Sequence, residues 1–302
     1  MNEKITEPEL YFFYYIQVNN LEKFQELLCS GSVNVNKVYK TVKKNNKYVL
    51  NNDLYINRRS IVKYLTPLML SIINKNTIFM QLLIDNGADI NMSTSSNDDT
   101  ALTIAIMEKH EESIKILLEK GANPNKFHIV YTDYDDPDDD YEKYYEWMNP
   151  LLYLILSNNN YTDNNMEIIK LLFEYGANIN STYEDYMLDN NPDEQMIPGY
   201  DNYTDKNILT ILVKKFNYAN NTYLPNIIQL LIEKGLNINL DDGNSALLYA
   251  IKYDNINIIK IFLHNGYNID FENQEIEIVL KECNDEIKEF VTEYMNNSYV
   301  LK

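Results

Sequence analysis

Apolar positions along this chain come in short bursts at helical spacing, and each burst is closed by a Gly and a brief polar stretch. The clearest instance is LLFEYGANIN at Leu171–Asn180. It returns as LLIDNGADIN at 82–91, ILLEKGANPN at 116–125, LLIEKGLNIN at 230–239 and IFLHNGYNID at 261–270. A more distant copy, LLCSGSVNVN, occupies 27–36 and carries Ser32 where the others have Gly. An apolar pair on the last helical turn, a Gly free to take positive φ, and an extended tail predict a helix that stops and runs into a finger. Ahead of most copies stands a helix-start signature: Thr66-Pro67-Leu68, Thr100-Ala101-Leu102, Asn149-Pro150-Leu151, Asn207-Ile208-Leu209 and Ser245-Ala246-Leu247. Thr, Asn or Ser accepts from orphan backbone N–H groups at a helix start, and Pro suits the first helical position. Each unit therefore reads as cap, helix, turn, helix, Gly stop and finger. In the two most regular units, Leu68, Ile72, Phe79, Leu82 and Leu83, and then Leu102, Ile106, Ile114, Leu117 and Leu118, fall at core spacing.

These units resemble ankyrin repeats, whose pattern is T-P-L-H-x-A, a second helix and a G-A-D/N-x-N finger. Gly87 to Gly121 spans 34 positions and Gly235 to Gly266 spans 31, bracketing the family period, while gaps of 55 and 59 surround Gly176. The resemblance implies an all-α ankyrin-repeat solenoid of about seven helix pairs, with β-hairpin fingers and long finger insertions, as one domain over 1–302. Its parts are an N-terminal capping repeat (1–36), a basic hairpin insertion (37–64), central repeats (65–273) with acidic aromatic insertions at 126–148 and 181–206, and a C-terminal cap (274–302). One departure is uniform: the family His is replaced by Met69, Thr103, Leu152, Thr210 and Leu248, which removes a usual link between neighbouring repeats. In ankyrin proteins the finger Asn can be hydroxylated, and Asn91, Asn180 and Asn239 resemble that position. Their plainer expected role is to close the finger turn through side-chain hydrogen bonds.

Charge changes the picture in the insertions. The chain carries a net charge of -19, yet Lys37, Lys40, Lys43, Lys44, Lys47, Arg58, Arg59 and Lys63 stand against the single acid Asp53. Apolar runs at Tyr48–Leu50 and Leu54–Ile56 flank Asn51-Asn52-Asp53, which predicts a long hairpin turning there. The two later insertions are acidic and aromatic at once, with Tyr131, Tyr134, Tyr141, Tyr144, Tyr145 and Trp147 in one and Tyr183, Tyr186 and Tyr200 in the other. Tyr and Trp supply large contact area at low entropic cost and are enriched at interface hot spots, so these nine are the candidate partner-binding residues. The basic segment either pairs with the acidic insertions or is simply solvated, which together are favoured, or it meets an acidic partner such as nucleic acid or an anionic membrane.

No catalytic constellation is visible. The histidines, His110, His128 and His264, are spread over three units at no metal-sharing spacing, and are expected at the surface or in fingers. Asp133–Asp140 offers carboxylates in number but lacks the Gly of a calcium loop, so a solvated or partner-binding loop is favoured over a cation site. Cys29 and Cys283, in the first and last units, are expected to be small buried helix residues without a disulfide, as in a reducing compartment. The N-terminus, acidic before its apolar run, does not read as a secretory signal, and no run is long enough to cross a bilayer. A strongly acidic chain disfavours nucleic acid. The expectation is a cytoplasmic, monomeric, non-catalytic module with no cofactor or metal, binding an unidentified protein through its concave face and fingers. The alternative is a substrate adaptor for a ubiquitin-ligase-type complex.

Overall fold

A computed structural model describes residues 6–44, 47–50, 62–94, 98–132, 144–157, 162–180, 208–216, 223–239, 245–269 and 274–300. Fourteen helices lie among them: α1 (Glu7–Gln17), α2 (Leu21–Ser30), α3 (Pro67–Ile73), α4 (Thr77–Asp85), α5 (Ala101–Met107), α6 (Glu111–Glu119), α7 (Pro150–Ser157), α8 (Asp163–Glu174), α9 (Ile208–Phe216), α10 (Leu224–Glu233), α11 (Ser245–Lys252), α12 (Ile256–His264), α13 (Gln274–Glu282) and α14 (Asp285–Val300). The strands are β1 (Tyr39–Lys44), β2 (Lys47–Leu50), β3 (Val62–Leu65), β4 (His128–Thr132) and β5 (Tyr144–Met148). The chain divides into two compact units, one of 1–131, 148–150 and 174–176, the other of 132–147, 151–173 and 177–302.

In the first unit each helix start uses the residue that the sequence marks. The Thr66 and Thr100 hydroxyls accept from the N–H groups of Met69 and Thr103, both at 3.2 Å. The helix pairs α1–α2, α3–α4 and α5–α6 pack internally, and the first helices α1, α3 and α5 pack in series. Phe24 is fully buried between Phe12, 4.7 Å away centre to centre, and Phe79 at 4.5 Å, so one aromatic stack joins the first two helix pairs. Leu82 is half-buried rather than buried, and Met80 takes its place in the core.

The turn between paired helices follows a rule the sequence hides. Asn19, Lys75, Lys109 and Asp254 adopt positive φ of 53 to 57° immediately before the second helix. The left-handed residue throws the chain back so that the next residue can cap, as the Asn20 and Asn76 side chains do by accepting from Lys23 and Phe79 N–H. At the other end of α2 the left-handed position is Gly31, with φ 65°, so Ser32 needs no special backbone. α1 starts at Glu7, with the Thr6 N–H donating to the Glu9 carboxylate at 2.9 Å.

β1 to β3 form an antiparallel sheet in the order β2-β1-β3, with Val42 opposite Val49 and Val62. Tyr48–Leu50 pair with Thr41–Lys43. The expected hairpin partner of Tyr48–Leu50, 54–56, lies outside the described residues. Fully buried Tyr39 anchors the sheet on α1, its ring 5.0 Å from Phe13 and its hydroxyl donating to the Glu9 carbonyl at 3.1 Å. Burial, reinforced by the Glu9 carboxylate, pushes that phenol above its usual pKa.

In the second unit α9, α11 and α13 pack in series, as do α10 and α12, and α11–α12 and α13–α14 pack as pairs. Leu212, Val213, Ile228, Leu231, Leu247, Ile251, Ile259 and Phe262 are fully buried, on the faces that the apolar spacing marks. Pro225 stands in the first turn of α10, as expected.

Candidate functional site

The fingers are built from two Asx residues with different tasks. The first closes the finger's own turn: the N–H groups of Asn36, Asn91, Asn125 and Asn180 each lie 2.9 Å from the side-chain oxygen of Asn34, Asp89, Asn123 and Asn178. The second bridges to the next finger. In the first unit the Asn91 Nδ2 donates to the Gly121 carbonyl at 3.0 Å and its Oδ1 accepts from the Asn123 N–H at 2.7 Å. Asn36 does the same with Gly87 and Asp89, at 3.1 and 2.7 Å, and Asn125 donates to the Gly176 carbonyl at 2.8 Å. In the second unit Asn180 holds Gly235 and Asn237, and Asn239 holds Gly266 and Asn268. Asn91, Asn180 and Asn239 were expected to close their own turns. They span to the following repeat instead, so the carboxamide is engaged at both ends. Where the family His would stand, Thr103 bonds locally, its hydroxyl donating to the Thr100 carbonyl at 2.9 Å.

Immediately beyond these Asn residues lie the insertions. β4 and β5 form a two-stranded ribbon at the ends of the second one. Tyr131 is placed in β4, and Tyr144, Tyr145 and Trp147 in β5, so four of the nine candidate residues share one ribbon. Tyr134, Tyr141, Tyr183, Tyr186 and Tyr200 lie outside the described residues, as do the acidic run 133–140 and the third insertion 181–206. The foot of the ribbon is sunk in the first unit: Phe127, His128, Met148 and Asn149 are all buried. His128 was expected at the surface or in a finger, and it stands in a finger insertion but buried. Burial holds its imidazole at a pKa of about 4, with a hydrogen bond to the Met148 backbone acting against the shift and the Lys63 charge adding to it. His110 stands half-buried at the start of α6, its Nδ1 2.6 Å from the Ser113 hydroxyl, and His264 is exposed.

The basic segment does pair internally, but the described partner lies outside the acidic insertions. Lys63 Nζ is 3.4 Å from Oδ2 of Asp99, a buried carboxylate just ahead of α5. Burial raises the Asp99 pKa, and the Lys63 ammonium pulls the other way without cancelling it. Lys40 and Lys43 are exposed, the latter with its ammonium 5.7 Å from the Tyr48 ring centre. Both cysteines are free thiols, Cys29 exposed in α2 and Cys283 half-buried just beyond the end of α13, where burial in a helix was expected. Among the described residues no group of His, Cys, Asp and Glu is arranged to hold a metal ion.

One concavity in the second unit has the chemistry of a contact site. Leu248, Tyr249 and Lys252 of α11 and Glu275, Ile278 and Val279 of α13 line an open groove of about 310 Å³. Ile278 is 54% exposed, and Lys214 of α9 lies 5.2 Å over the Tyr249 ring. The floor is apolar and the rims carry opposite charges.

The family model for ankyrin repeats (3 copies) matches residues 12–128 and 193–273, more than half of the chain. The chain belongs to the ankyrin-repeat family. A solved structure, the crystal structure of the human ASB11 ankyrin repeat domain, matches with 16% sequence identity over 91% of each chain and a TM-score of 0.47. Ankyrin repeats are protein-interaction modules and generally non-enzymatic. In this ankyrin protein the helices α11 and α13 carry the groove, and no described helix is long and apolar enough to cross a membrane. Sequence reasoning missed the groove, because Tyr249, Lys252 and Ile278 look like ordinary flank residues until the packing of α11 against α13 brings them together.

Proposed function

We propose that the chain is a non-catalytic protein-binding module that grips one partner protein through the face formed by its first helices and through its finger insertions. The observation that carries the reading is the groove between α11 and α13, where Ile278 is exposed and Leu248, Tyr249 and Val279 are half-buried, while Leu247, Ile251, Ile276 and Leu280 of the same helices are buried. Accessible aromatic and aliphatic anchors between charged rims are what interface hot spots are made of. The aromatic insertions supply the rest of the grip: Tyr131, Tyr134, Tyr141, Tyr144, Tyr145 and Trp147, and in the third insertion Tyr183, Tyr186 and Tyr200. Free cysteines suit a reducing compartment, so the reading places the module in the cytoplasm.

Affinity purification from the cells that make the chain tests this, with three baits: the wild type, the variant Ile278→Asp and a deletion of residues 131–147. At least one protein retained by the wild type is expected to be lost from both variants. Retention of every captured protein by both variants refutes the reading. Recovery of a ubiquitin-ligase subunit beside a second, independently lost protein marks the chain as an adaptor.

A further inference from the structure

Seven large hydrophobic side chains stand exposed among the described residues, and four of them, Leu10, Tyr11, Tyr14 and Val18, belong to α1 and its cap at 40 to 51% exposure. Leu10, Tyr14 and Val18 follow the i, i+4, i+8 row of one helix face, and Tyr11 flanks it. That face lies opposite buried Phe12, Phe13 and Ile16. The Tyr11 and Tyr14 rings both lean on Tyr15, at 6.1 and 5.8 Å between centres, which holds them in place as a rigid surface.

We propose that this stripe is a self-association surface, on which α1 of one copy packs antiparallel on α1 of a second copy about a twofold axis through Tyr14. Three features of the molecule select a second copy as the occupant. First, the stripe is uncharged from Leu10 to Val18, so meeting itself brings no like charges together, although the chain as a whole carries -19. Second, an axis at Tyr14 sets Leu10 against Val18 of the second copy, Tyr14 against its twin, and large against large throughout, as an isologous interface requires. Third, the antiparallel arrangement is electrostatically complementary from end to end. The first turn of α1 carries Glu7. Its far end is bonded to the basic sheet, where the Gln17 side chain donates to the Tyr48 carbonyl and Lys43 lies over the Tyr48 ring. In the pair, the acidic start of each helix approaches the basic finish of the other, and opposed helix dipoles favour the same arrangement.

The area makes this a weak dimer. At about 150–250 Å² per aromatic side chain, two half-exposed Tyr rings contribute roughly 200 Å². Leu10 and Val18 bring the stripe to roughly 300 Å² per copy, well under the roughly 800 Å² per partner of a standard interface, so association belongs in the micromolar range or weaker. The module is thus a concentration-dependent pair, in place of the monomer that the sequence suggests.

Sedimentation velocity of the full chain between about 5 and 300 μM tests the pairing. The wild type is expected to move from the 35.6 kDa species towards twice that mass as concentration rises. Tyr14→Glu, which places two carboxylates at the axis, is expected to stay monomeric throughout, with association weakened more than 10-fold. Leu10→Glu and Val18→Lys are each expected to weaken pairing, while the double variant L10E/V18K regains it, because the antiparallel register sets each new acid against a new base. All four positions face solvent in the single copy, and an unchanged helical circular dichroism spectrum for each variant confirms folding. A wild type that stays monomeric to 300 μM overturns the proposal and leaves the stripe to a different protein. So does a dimer indifferent to Tyr14→Glu, or a double variant no better than its parents.

Discussion

Replacing Asn91 by Ala removes both hydrogen bonds by which the second finger holds the third, at 3.0 Å to the Gly121 carbonyl and 2.7 Å from the Asn123 N–H. A net hydrogen bond contributes about 0.5–1.5 kcal/mol, and because the freed carbonyl and N–H lie at the surface and can take water, the lower half of that range applies. Two bonds then amount to about 1–2 kcal/mol, all of it in the coupling between adjacent repeats, since neither bond lies within a repeat. At roughly 2–4 °C per kcal/mol for a chain of somewhat smaller size, the melting temperature falls by about 2–8 °C. Urea unfolding followed by far-ultraviolet circular dichroism reads the change as a lowered midpoint. Asn91→Asp separates the two bonds, because a carboxylate still accepts from the Asn123 N–H but cannot donate to Gly121. The double variant N36A/N91A frees the second finger on both sides, so stability in a stack of nearest-neighbour contacts should fall by about the sum of the two single effects, or the transition should broaden. If Asn91→Ala lies within about 0.3–0.5 kcal/mol of the wild type, the usual error of additivity, the bridging role is wrong.

Phe24→Ala empties the centre of the stack formed with Phe12 and Phe79 and is expected to destabilise by about 3–5 kcal/mol, measured by the same urea titration. His128 titrates at about 4 in the fold and near 6.5 when unfolded. The unfolded chain therefore binds the extra proton first, and stability that is complete above pH 6.5 is lost as the pH falls towards 4, by up to about 3 kcal/mol at 1.36 kcal/mol per pKa unit. Asp99 works in the opposite sense, since its raised pKa lets the fold take up a proton before the unfolded chain does, so acidification relieves part of its burial. His128→Leu should flatten the stability profile between pH 6.5 and 4, and Asp99→Asn should steepen it, as thermal melts across that range will show. Lys75 holds φ 55°, and left-handed backbone at a residue with a Cβ costs roughly 1–2 kcal/mol. Lys75→Gly should thus raise the unfolding free energy by up to about 1 kcal/mol, read as a higher urea midpoint, once the greater freedom of the unfolded Gly is set against the relief.

Helix starts, Gly stops and core faces were legible because each is fixed by a neighbour in sequence: Thr66 caps the N–H of Met69, three residues on. The elements that escaped are settled by residues far apart in the chain. Nothing local marks the pairing of Tyr48 with Lys43, and the expected partners at 54–56 lie outside the described residues. His128 gives no sign of its burial because the chain that buries it, around Met148 and Asn149, comes twenty residues later. Lys75 and Lys109 gave no hint of positive φ, since the requirement comes from folding one helix back on another and not from a preference of lysine. The aromatic insertions were legible as candidates by composition alone, and composition does not say which rings act together.

The position of the bridging Asn explains how such insertions can be carried at all. The three long interruptions of the repeat, 37–64, 126–148 and 181–206, each begin at the residue directly after a bridging Asn, namely Asn36, Asn125 and Asn180. By that point in the chain the finger has closed its own turn and made its bond to the next repeat. A loop of any length and charge grafted there leaves the coupling intact, and what it adds to the entropy of loop closure grows only with the logarithm of its length. An insertion two residues earlier would separate the turn-closing Asx from the bridging Asn and break both. The Asn at the fifth position of each Gly-started finger is therefore what frees the rest of the finger to vary, and the segments that vary are the ones rich in tyrosine and charge. Moving the insertion tests this directly: transplanting 126–148 to a point between Asn123 and Asn125 should lower stability by at least the Asn91→Ala amount of about 1–2 kcal/mol. Restoring it after Asn125 should lower it by nothing measurable relative to the wild type. Equal stability at the two sites would show that the fingers are coupled by something other than these carboxamides.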